Sequence, residues 1–443
     1  MNNNNSNPPP PPEMPDVTDT GTIIGTLQPQ KPPSEIPPIV PPDGSDAKSD
    51  NDAMDIDAPT TTSSSSSQDL PIVIIDEEDA LQTIEKLRSD ELSARIEAST
   101  KLPTIAAALG PKRTRDELLP FLCDGVDDDD EVLEGIAASL GKLVPYVGGR
   151  DHVASLLQPL ELLLAVEENV VREKAAASAV LVSQSILASD NQEIYLSEFV
   201  GMIGRLANKE WFTARISACS LIPVAFPNLP STSAGSGSEL RSRHVEYFAR
   251  LCRDDAPMVR RIAARNLGVL LYTVVETVGA ASLMDDRGGG GGGVVSTVLL
   301  DLYESLAGGD QPDSVRLHTT QNCIKFGEAM SLLKRTEERR GGTSSSVDSS
   351  PAAAASSSSS ETLARIDALV RRILPLIVAT IDDRSWRVRW TAASKFAGVV
   401  RAFAPLAGAM DALVPAYEKL LQDPEAEVRT AATFNLSEVA GTG

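Results

Sequence analysis

One pattern recurs eight times along this 443-residue chain and constrains its fold more than any other feature. A lead residue is followed by mostly apolar residues at i+4, i+8 and i+11, the spacing that places side chains on one face of an α-helix. Val388, for example, is followed by Ala392, Phe396 and Val399. The eight lead residues are Ala94, Val132, Val171, Ala214, Val259, Val315, Val388 and Val428. The chain is therefore predicted to be a series of related helices.

Charged residues keep a fixed relation to the lead residue. An arginine follows it directly in seven copies, and Leu133 is the exception; the arginines are Arg95, Arg172, Arg215, Arg260, Arg316, Arg389 and Arg429. An acid lies four or five residues before it, at Asp90, Asp127, Glu167, Glu210, Asp254, Asp310, Asp383 and Asp423. We expect each arginine to pair with the acid of its own copy or of a neighbouring copy, tying the copies together, rather than to contact a partner directly.

The distance between copies predicts the fold class. Copies begin 38 to 73 residues apart, most of them near 40, which is typical of two-helix repeats of the HEAT and armadillo class. Each unit is predicted to be a helix A, a short acidic turn and a helix B that opens with the lead residue. Helix A carries a proline 12 or 13 residues before the lead residue in four copies, which indicates a kink; these are Pro120, Pro159, Pro375 and Pro415. We predict an all-α, right-handed α-solenoid of about eight HEAT repeats.

Composition divides the chain into a tail and an array. Residues 1–69 are rich in Asn, Pro and Ser and are predicted to be a disordered tail, while residues 70–443 form the solenoid. Ser, Gly and Ala insertions near 230–239, 288–293 and 341–360 all fall after a helix B and before the next helix A. The turns between A and B therefore keep a constant length, and we expect a partner on that side.

The charge and the scarce chemistry-bearing residues limit the function. A formal net charge of -22 argues against nucleic acid as a ligand. Neither a membrane span nor a signal peptide is expected, so we predict a cytoplasmic, possibly also nuclear, protein. The four cysteines are widely spaced and predicted to be reduced, and the three histidines lie in different repeats. We therefore expect no catalytic residues, no cofactor and no metal ion.

Several segments, taken in order, resemble the amino-terminal half of the scaffold (A) subunit of protein phosphatase type 2A. They are residues 117–122, 166–172, 210–215, 255–261, 313–317 and 385–389. The resemblance implies a curved, non-catalytic scaffold that holds a regulatory B-type subunit on its first repeats and the catalytic subunit on its last ones. Because members of that family have nearly twice as many repeats, we expect the contacts with the catalytic subunit to lie outside this chain, as in a fragment or truncated gene product.

The same resemblance implies which residues contact the regulatory subunit. They are Glu131, Glu167, Glu168, Trp211, Phe212, Pro257, Met258, Arg260, Arg261, Ser385, Trp386 and Arg387. Trp211 and Trp386 also stand out without it, because an indole placed in a charged turn exposes apolar surface unless something covers it. The alternative for both tryptophans is packing against the next repeat. Arg261 and Arg387 do not directly follow a lead residue, so they are better candidates for ligand contact than the pairing arginines.

Two other classes of protein remain open from the residues alone. A HEAT-repeat transport receptor or adaptor of the karyopherin type would also be acidic, but it would have about twice as many repeats. A lyase with HEAT-like repeats would need a convergent set of ionisable groups and shorter repeats. Neither class accounts for the ordered segments.

Overall fold

The computed structural model of the protein describes residues 77–230, 236–283, 293–342 and 350–442. Within these ranges the chain is all-α and contains no strand. The predicted fold class is therefore confirmed. The tail predicted for residues 1–69 lies outside the described residues.

Ten α-helices form the first four repeats. They are α1 (Glu77–Leu87), α2 (Leu92–Thr100), α3 (Leu102–Arg113), α4 (Leu119–Asp124), α5 (Asp130–Leu140), α6 (Leu157–Leu163), α7 (Asn169–Ala188), α8 (Gln192–Ile194), α9 (Gly201–Asn208) and α10 (Phe212–Ala225). Shorter segments connect them: π-helical turns at Thr114–Leu118 and Tyr195–Val200, and 3₁₀ turns at Gly141–Tyr146, Arg150–Leu156 and Phe226–Asn228.

Ten more α-helices form the last four repeats. They are α11 (Ser236–Cys252), α12 (Pro257–Val278), α13 (Leu300–Ala307), α14 (Asp313–Arg316), α15 (Thr319–Gly342), α16 (Ser350–Ile381), α17 (Trp386–Phe403), α18 (Ala409–Leu420), α19 (Ala426–Phe434) and α20 (Leu436–Thr442). A 3₁₀ turn at Gly279–Leu283 and a π-helical turn at Val295–Leu299 complete them.

The B helices form a continuous row in which each packs on the next. Contacts run from α2 to α5, α7, α10, α12, α15, α17 and α19. Every predicted core position of the eight copies is buried except Ala94 and Leu436. Leu436 is exposed and begins a separate short helix, α20, after α19 ends at Phe434.

The recurring prolines of helix A occupy two kinds of place. Pro375 and Pro415 lie inside α16 and α18. Pro120 lies in the first turn of α4, directly after a π-helical turn, and Pro159 lies in α6, directly after a 3₁₀ turn. A proline removes one backbone donor and crowds the preceding turn, and these irregular turns accommodate both effects.

The two classes of turn differ in length as predicted. The A-to-B turns contain three to five residues in every repeat. The three insertions all follow a B helix. The first and third are partly helical, however: α11 begins at Ser236, and α16 begins at Ser350, so about half of the predicted 341–360 insertion extends a helix A. The second, near 288–293, lies almost entirely outside the described residues. The run Ala352–Ala355 accounts for this, because alanine is the best helix former.

The structure bears on two further expectations, one about the cysteines and one about membrane spans. The cysteines are free, as predicted, and Cys219, Cys252 and Cys323 are buried. The helix Pro257–Leu283 is long and apolar enough to cross a membrane by length and composition, and the sequence analysis did not single it out. Its Val259, Leu267 and Leu271 are buried between neighbouring helices, and a core helix carries the same pattern.

In five of the eight repeats, the arginine that follows the lead residue links two consecutive turns. Its Nη1 donates to carbonyl oxygens of its own A-to-B turn, as Arg389 does to Asp383 at 2.8 Å. Its Nε and Nη2 donate to both carboxylate oxygens of an aspartate in the next turn. These pairs are Arg215 with Asp254, Arg316 with Asp383 and Arg389 with Asp423, at 2.7–3.1 Å. We call this series the arginine ladder; the carboxylate partner belongs to the following repeat.

Two copies use a different acceptor from the predicted acid. Arg95 pairs with Asp128 and Asp129 rather than with Asp127, because the second turn offers a run of acids and these two lie nearer the B helix. Arg260 bonds to the amide oxygen of Gln311 rather than to its neighbour Asp310. The link between consecutive turns is kept in both cases, although the predicted partner is wrong.

Each ladder aspartate also fixes its own turn. The Oδ1 atoms of Asp254, Asp383 and Asp423 accept from the backbone N–H two residues later, at 2.8–2.9 Å. Burial alone would raise the pKa of Asp383, but the hydrogen bond from Arg316 and the other favourable contacts outweigh it, and the pKa is lowered. Burial and Arg389 act on the pKa of Asp423 in the same way, so both carboxylates are held ionised.

Replacing Asp383 by alanine should destabilise the protein strongly. The change leaves the Arg316 side chain, 2% exposed, as a buried charge without its carboxylate, which typically costs about 3 kcal/mol or more. Asp382→Ala is the matched control, because its pair with Lys419 is exposed and should contribute about 1 kcal/mol or less. Urea unfolding followed by circular dichroism measures both. Equal losses in the two variants would contradict the importance of the ladder.

Candidate partner-binding ridge

The arginine ladder places the A-to-B turns side by side. The turns consist of residues 88–91, 125–129, 164–168, 209–211, 253–256, 308–312, 382–385 and 421–425. We call these turns, together with the first residues of the B helices, the A–B ridge. All twelve predicted partner-binding residues lie on it, and their role in binding stays a prediction.

Trp211 is the most exposed tryptophan of the ridge. It precedes the first residue of α10 and is 54% exposed. Its ring lies 5.7 Å from that of Phe212, which is half-buried and packs against the core. Phe212 therefore supports the indole, and Trp211 offers the accessible apolar surface. The alternative of burial against the next repeat does not hold for an indole with this exposure.

At the start of α12, some predicted partner-binding residues are exposed, and others already make contacts within the protein. Pro257 and Met258 occupy the first turn of the helix, and Met258 is 55% exposed. Arg260 belongs to the ladder, since it donates to the carbonyl oxygens of Asp254 and Asp255 as well as to Gln311. Arg261 is half-buried and lies one position beyond the ladder arginine.

Ser385, Trp386 and Arg387 form a compact group at the start of α17. Trp386 is 40% exposed, and the Arg387 guanidinium lies 5.5 Å from the centre of its ring. Ser385 donates to Asp313 of the preceding repeat at 3.3 Å, and Arg387 lies 3.8 Å from the same carboxylate. The group therefore combines an apolar surface with one largely exposed cation.

The three acidic residues predicted to bind a partner differ in their exposure. Glu131 and Glu167 are exposed, in the first turn of α5 and in the turn before α7. Glu168 is half-buried and caps α7, because its carboxylate accepts from the N–H of Val170 at 3.3 Å. Two of the three are thus available to a partner.

Trp390 is an exposed aromatic residue that the sequence analysis did not identify. It is 44% exposed and lies one helical turn after Trp386 on α17. The sequence signal that could have found it is its position two residues after the lead Val388, which lies opposite the buried stripe of the helix.

The ladder is interrupted next to Trp211. Arg172 is buried and donates to carbonyl oxygens of its own turn and to Asn169, but its Nε has no partner. Burial lowers the pKa of this guanidinium. The position five residues before the lead residue, which holds Asp254, Asp383 or Asp423 in later repeats, holds Lys209 here. The prediction that Glu210, one residue later, pairs with a ladder arginine is therefore wrong.

Comparison with known proteins finds a HEAT repeat and several PP2A regulatory subunits that are similar to this chain. The HEAT repeat family model matches residues 413–442. A probable PP2A regulatory subunit of Caenorhabditis elegans is 42% identical over 244 residues, which are 55% of this chain and 37% of the relative. The A-type PP2A regulatory subunit of Schizosaccharomyces pombe is 34% identical over 323 residues, 73% of this chain and 44% of the relative.

A plant protein gives the same result. The alpha isoform of the 65 kDa PP2A regulatory subunit of Arabidopsis thaliana is 43% identical over 201 residues, 45% of this chain and 32% of the relative. The predicted resemblance is therefore confirmed, and the chain spans less than half the length of these three relatives. Among solved structures, a chain of a Kap95p–RanGDP complex is 13% identical with a TM-score of 0.45. The match covers 82% of this chain and 45% of the Kap95p–RanGDP chain. The sequence relatives above are PP2A regulatory subunits, and they do not favour the karyopherin alternative.

An aspartate at position 209 should complete the ladder and stabilise the protein. Lys209→Asp supplies the carboxylate that Arg172 lacks, and we expect a gain of about 1 kcal/mol in the free energy of unfolding. Lys209→Asn is the matched control, since its amide can cap the turn but carries no charge. Urea unfolding compares the two. A gain that is equal in both variants would mean that no ion pair forms.

Proposed function

We propose that this chain, a HEAT-repeat relative of the A subunits of protein phosphatase 2A, is a non-catalytic scaffold that docks a regulatory B-type subunit on its A–B ridge. The observation that carries the proposal is the exposure of Trp211, Met258 and Trp386 on turns whose other side chains hold the repeats together. Sequence relatives named as PP2A regulatory or scaffold subunits support the same class of function.

The arrangement of these side chains suits a large protein partner. They project from three repeats along one row of turns, so a partner must contact several of them at once. Tryptophan is one of the residue types that most often anchor such interfaces, and the flexible Met258 adds adaptable apolar surface. Arg387 adds a cation beside Trp386, which favours a partner surface that combines apolar groups with carboxylates.

We propose that the catalytic subunit binds outside the eight repeats of this chain. In the family that this chain resembles, it is held by the last repeats of a longer array. We therefore propose that the eight repeats present here bind the regulatory subunit without needing the catalytic one. Their role is to position a partner, and no reaction is assigned to them.

Capture of a purified regulatory B-type subunit by the immobilised chain tests the proposal. Trp211→Ala combined with Trp386→Ala should weaken capture by at least about 2 kcal/mol, since each change removes an exposed anchor. Leu81→Ala combined with Val414→Ala is the matched control, because both residues are exposed apolar side chains on A helices. Isothermal titration calorimetry gives the affinities.

The two variants distinguish the possible outcomes. Loss of affinity in the tryptophan variant but not in the control supports docking on the A–B ridge. Unchanged affinity in the tryptophan variant would reject these two anchors, and no binding by the unmodified chain would reject the function. Circular dichroism of both variants checks that the helices are retained.

A further inference from the structure

A polar cleft lies between the A–B turns of the fourth and fifth repeats. It has a volume of about 440 Å³ and is bordered by the end of α9, the start of α10, the end of α11 and the turn that follows α11. Its polar lining consists of Asn208, Arg215, Arg250, Arg253, Asp254 and Asp255. We call it the arginine cleft, because three of these six side chains are guanidinium groups.

Arg250 is held in place at one wall of the cleft. Its Nη2 donates to Oδ1 of Asn208 at 2.8 Å and to the carbonyl oxygen of Ala207 at 3.3 Å. Its guanidinium lies 5.3 Å from the centre of the Tyr247 ring, and that ring packs closely on Gly204 of α9. Its Nε and Nη1 make no hydrogen bond to the residues that the structure describes. Arg250 is therefore a positioned cation with donors left for a ligand.

Arg253 supplies a second cation beside it. Its backbone N–H donates to the carbonyl oxygen of Arg250 at 3.0 Å, so the two residues are neighbours at the end of α11. The Arg253 side chain is exposed and forms no ion pair within the described part of the chain. The third guanidinium, that of Arg215, belongs to the arginine ladder and is already paired with Asp254.

The two carboxylates of the cleft differ in their contacts. Asp254 accepts from Arg215 and from the backbone N–H of Ala256, so it has no capacity for Arg250 or Arg253. Asp255 is exposed and is the one remaining acid of the lining. With the ladder pair set aside, two cations face one carboxylate. The cleft therefore carries a net positive charge that suits a single carboxylate, whereas Asp255 would oppose a phosphate dianion.

Exposed apolar side chains lie on the two turns that border the cleft. Trp211 precedes Arg215 by four residues, about one helical turn, and Met258 follows Asp254 by four residues. Both side chains are more than half exposed, at 54% and 55%. A protein that covers them would also cover the mouth of the cleft and exclude water from it, which strengthens ionic contacts inside.

We propose that the arginine cleft binds an aspartate or glutamate side chain of the regulatory subunit, whose carboxylate pairs with Arg250 and Arg253 while apolar groups beside it cover Trp211 and Met258. This inference rests on the proposed docking of that subunit on the A–B ridge and adds the chemistry that is recognised there. Arg250 and Arg253 are not among the residues that the family resemblance implies.

Arg250→Gln combined with Arg253→Gln should weaken binding of a purified regulatory B-type subunit to the full chain about tenfold, measured by isothermal titration calorimetry. Lys112→Gln combined with Arg243→Gln is the matched control, because it makes the same change of net charge at exposed side chains outside the cleft. Its affinity should be unchanged. Arg253→Gln alone keeps every contact of Arg250 and should still lower the affinity about threefold. Circular dichroism checks that each variant is folded.

Removing the competing acid should have the opposite effect. Asp255→Asn leaves the ladder pair in place and makes the cleft more positive, so the affinity should rise about twofold or more. Added salt should weaken binding of the unmodified chain more steeply than binding of the Arg250→Gln, Arg253→Gln variant, because that variant lacks the ionic contacts.

Cross-linking gives a readout that identifies the chemical group. Arg253→Lys places an amine in the cleft, and a water-soluble carbodiimide joins that amine to a carboxylate as an amide, taking up the water that is lost. Mass spectrometry of the complex should find a cross-link from position 253 to an aspartate or glutamate of the regulatory subunit. Lys112, an exposed lysine outside the cleft, should give none.

The possible outcomes separate this inference from the proposed function. If the Trp211→Ala, Trp386→Ala variant loses the regulatory subunit while the Arg250→Gln, Arg253→Gln variant binds like its control, the docking stands and the role of the cleft is rejected. Equal losses in the glutamine variant and its control would show that net charge alone matters. Loss of binding after dephosphorylation of the regulatory subunit would assign the cleft to phosphate instead. No binding by the unmodified chain would reject both proposals.

Discussion

Wherever the ladder is complete, the guanidinium group that follows the lead residue sets the geometry of two consecutive helix pairs. It donates to carbonyl oxygens of its own turn and to a carboxylate of the next turn, as Arg316 and Arg389 do. One side chain thus fixes both the shape of a turn and its distance from the following turn. Because an arginine stays charged when buried, a repeat packed one residue out of register would leave that charge unmatched. The ladder therefore specifies the stacking as well as stabilising it.

This arrangement also decides which side chains remain for binding. The aspartate of a three- to five-residue turn and the arginine at the start of the following B helix are used for contacts within the solenoid. The residues between them, such as Met258 and Trp386, have no place in the core and project outward, as Trp211 does in the turn that has Lys209 in place of the aspartate. The structural and the binding residues therefore alternate along one short segment, and insertions are accommodated in the other class of turn, where no ladder contact would be disturbed.

The helical periodicity made most of the fold predictable from the sequence. A buried stripe that recurs at i, i+4, i+8 and i+11 has few structural solutions, and the core positions of the B helices follow it. The ladder was less predictable, because spacing does not say which of several polar groups in the next turn a guanidinium reaches. The sequence predicts that Arg260 contacts a partner, but in the structure its side chain bonds to Gln311. The exposed Trp390 was not predicted, because it lies outside the turns. Pairings between repeats depend on side-chain reach, which a one-dimensional pattern does not encode.

Each ladder aspartate uses one carboxylate for two contacts, with the arginine of the preceding repeat and with its own turn. This double use affects how the stability of the protein responds to acid. The lowered pKa values of Asp383 and Asp423 mean that their contribution to stability is complete above about pH 4, the ordinary value for an unfolded aspartate, and is lost as the pH falls through the folded values. Protonation would then remove the link to the preceding repeat and weaken the turn's own cap in a single step. Mild acidification of a cell would leave these contacts intact, whereas strong acid would release neighbouring repeats from one another together.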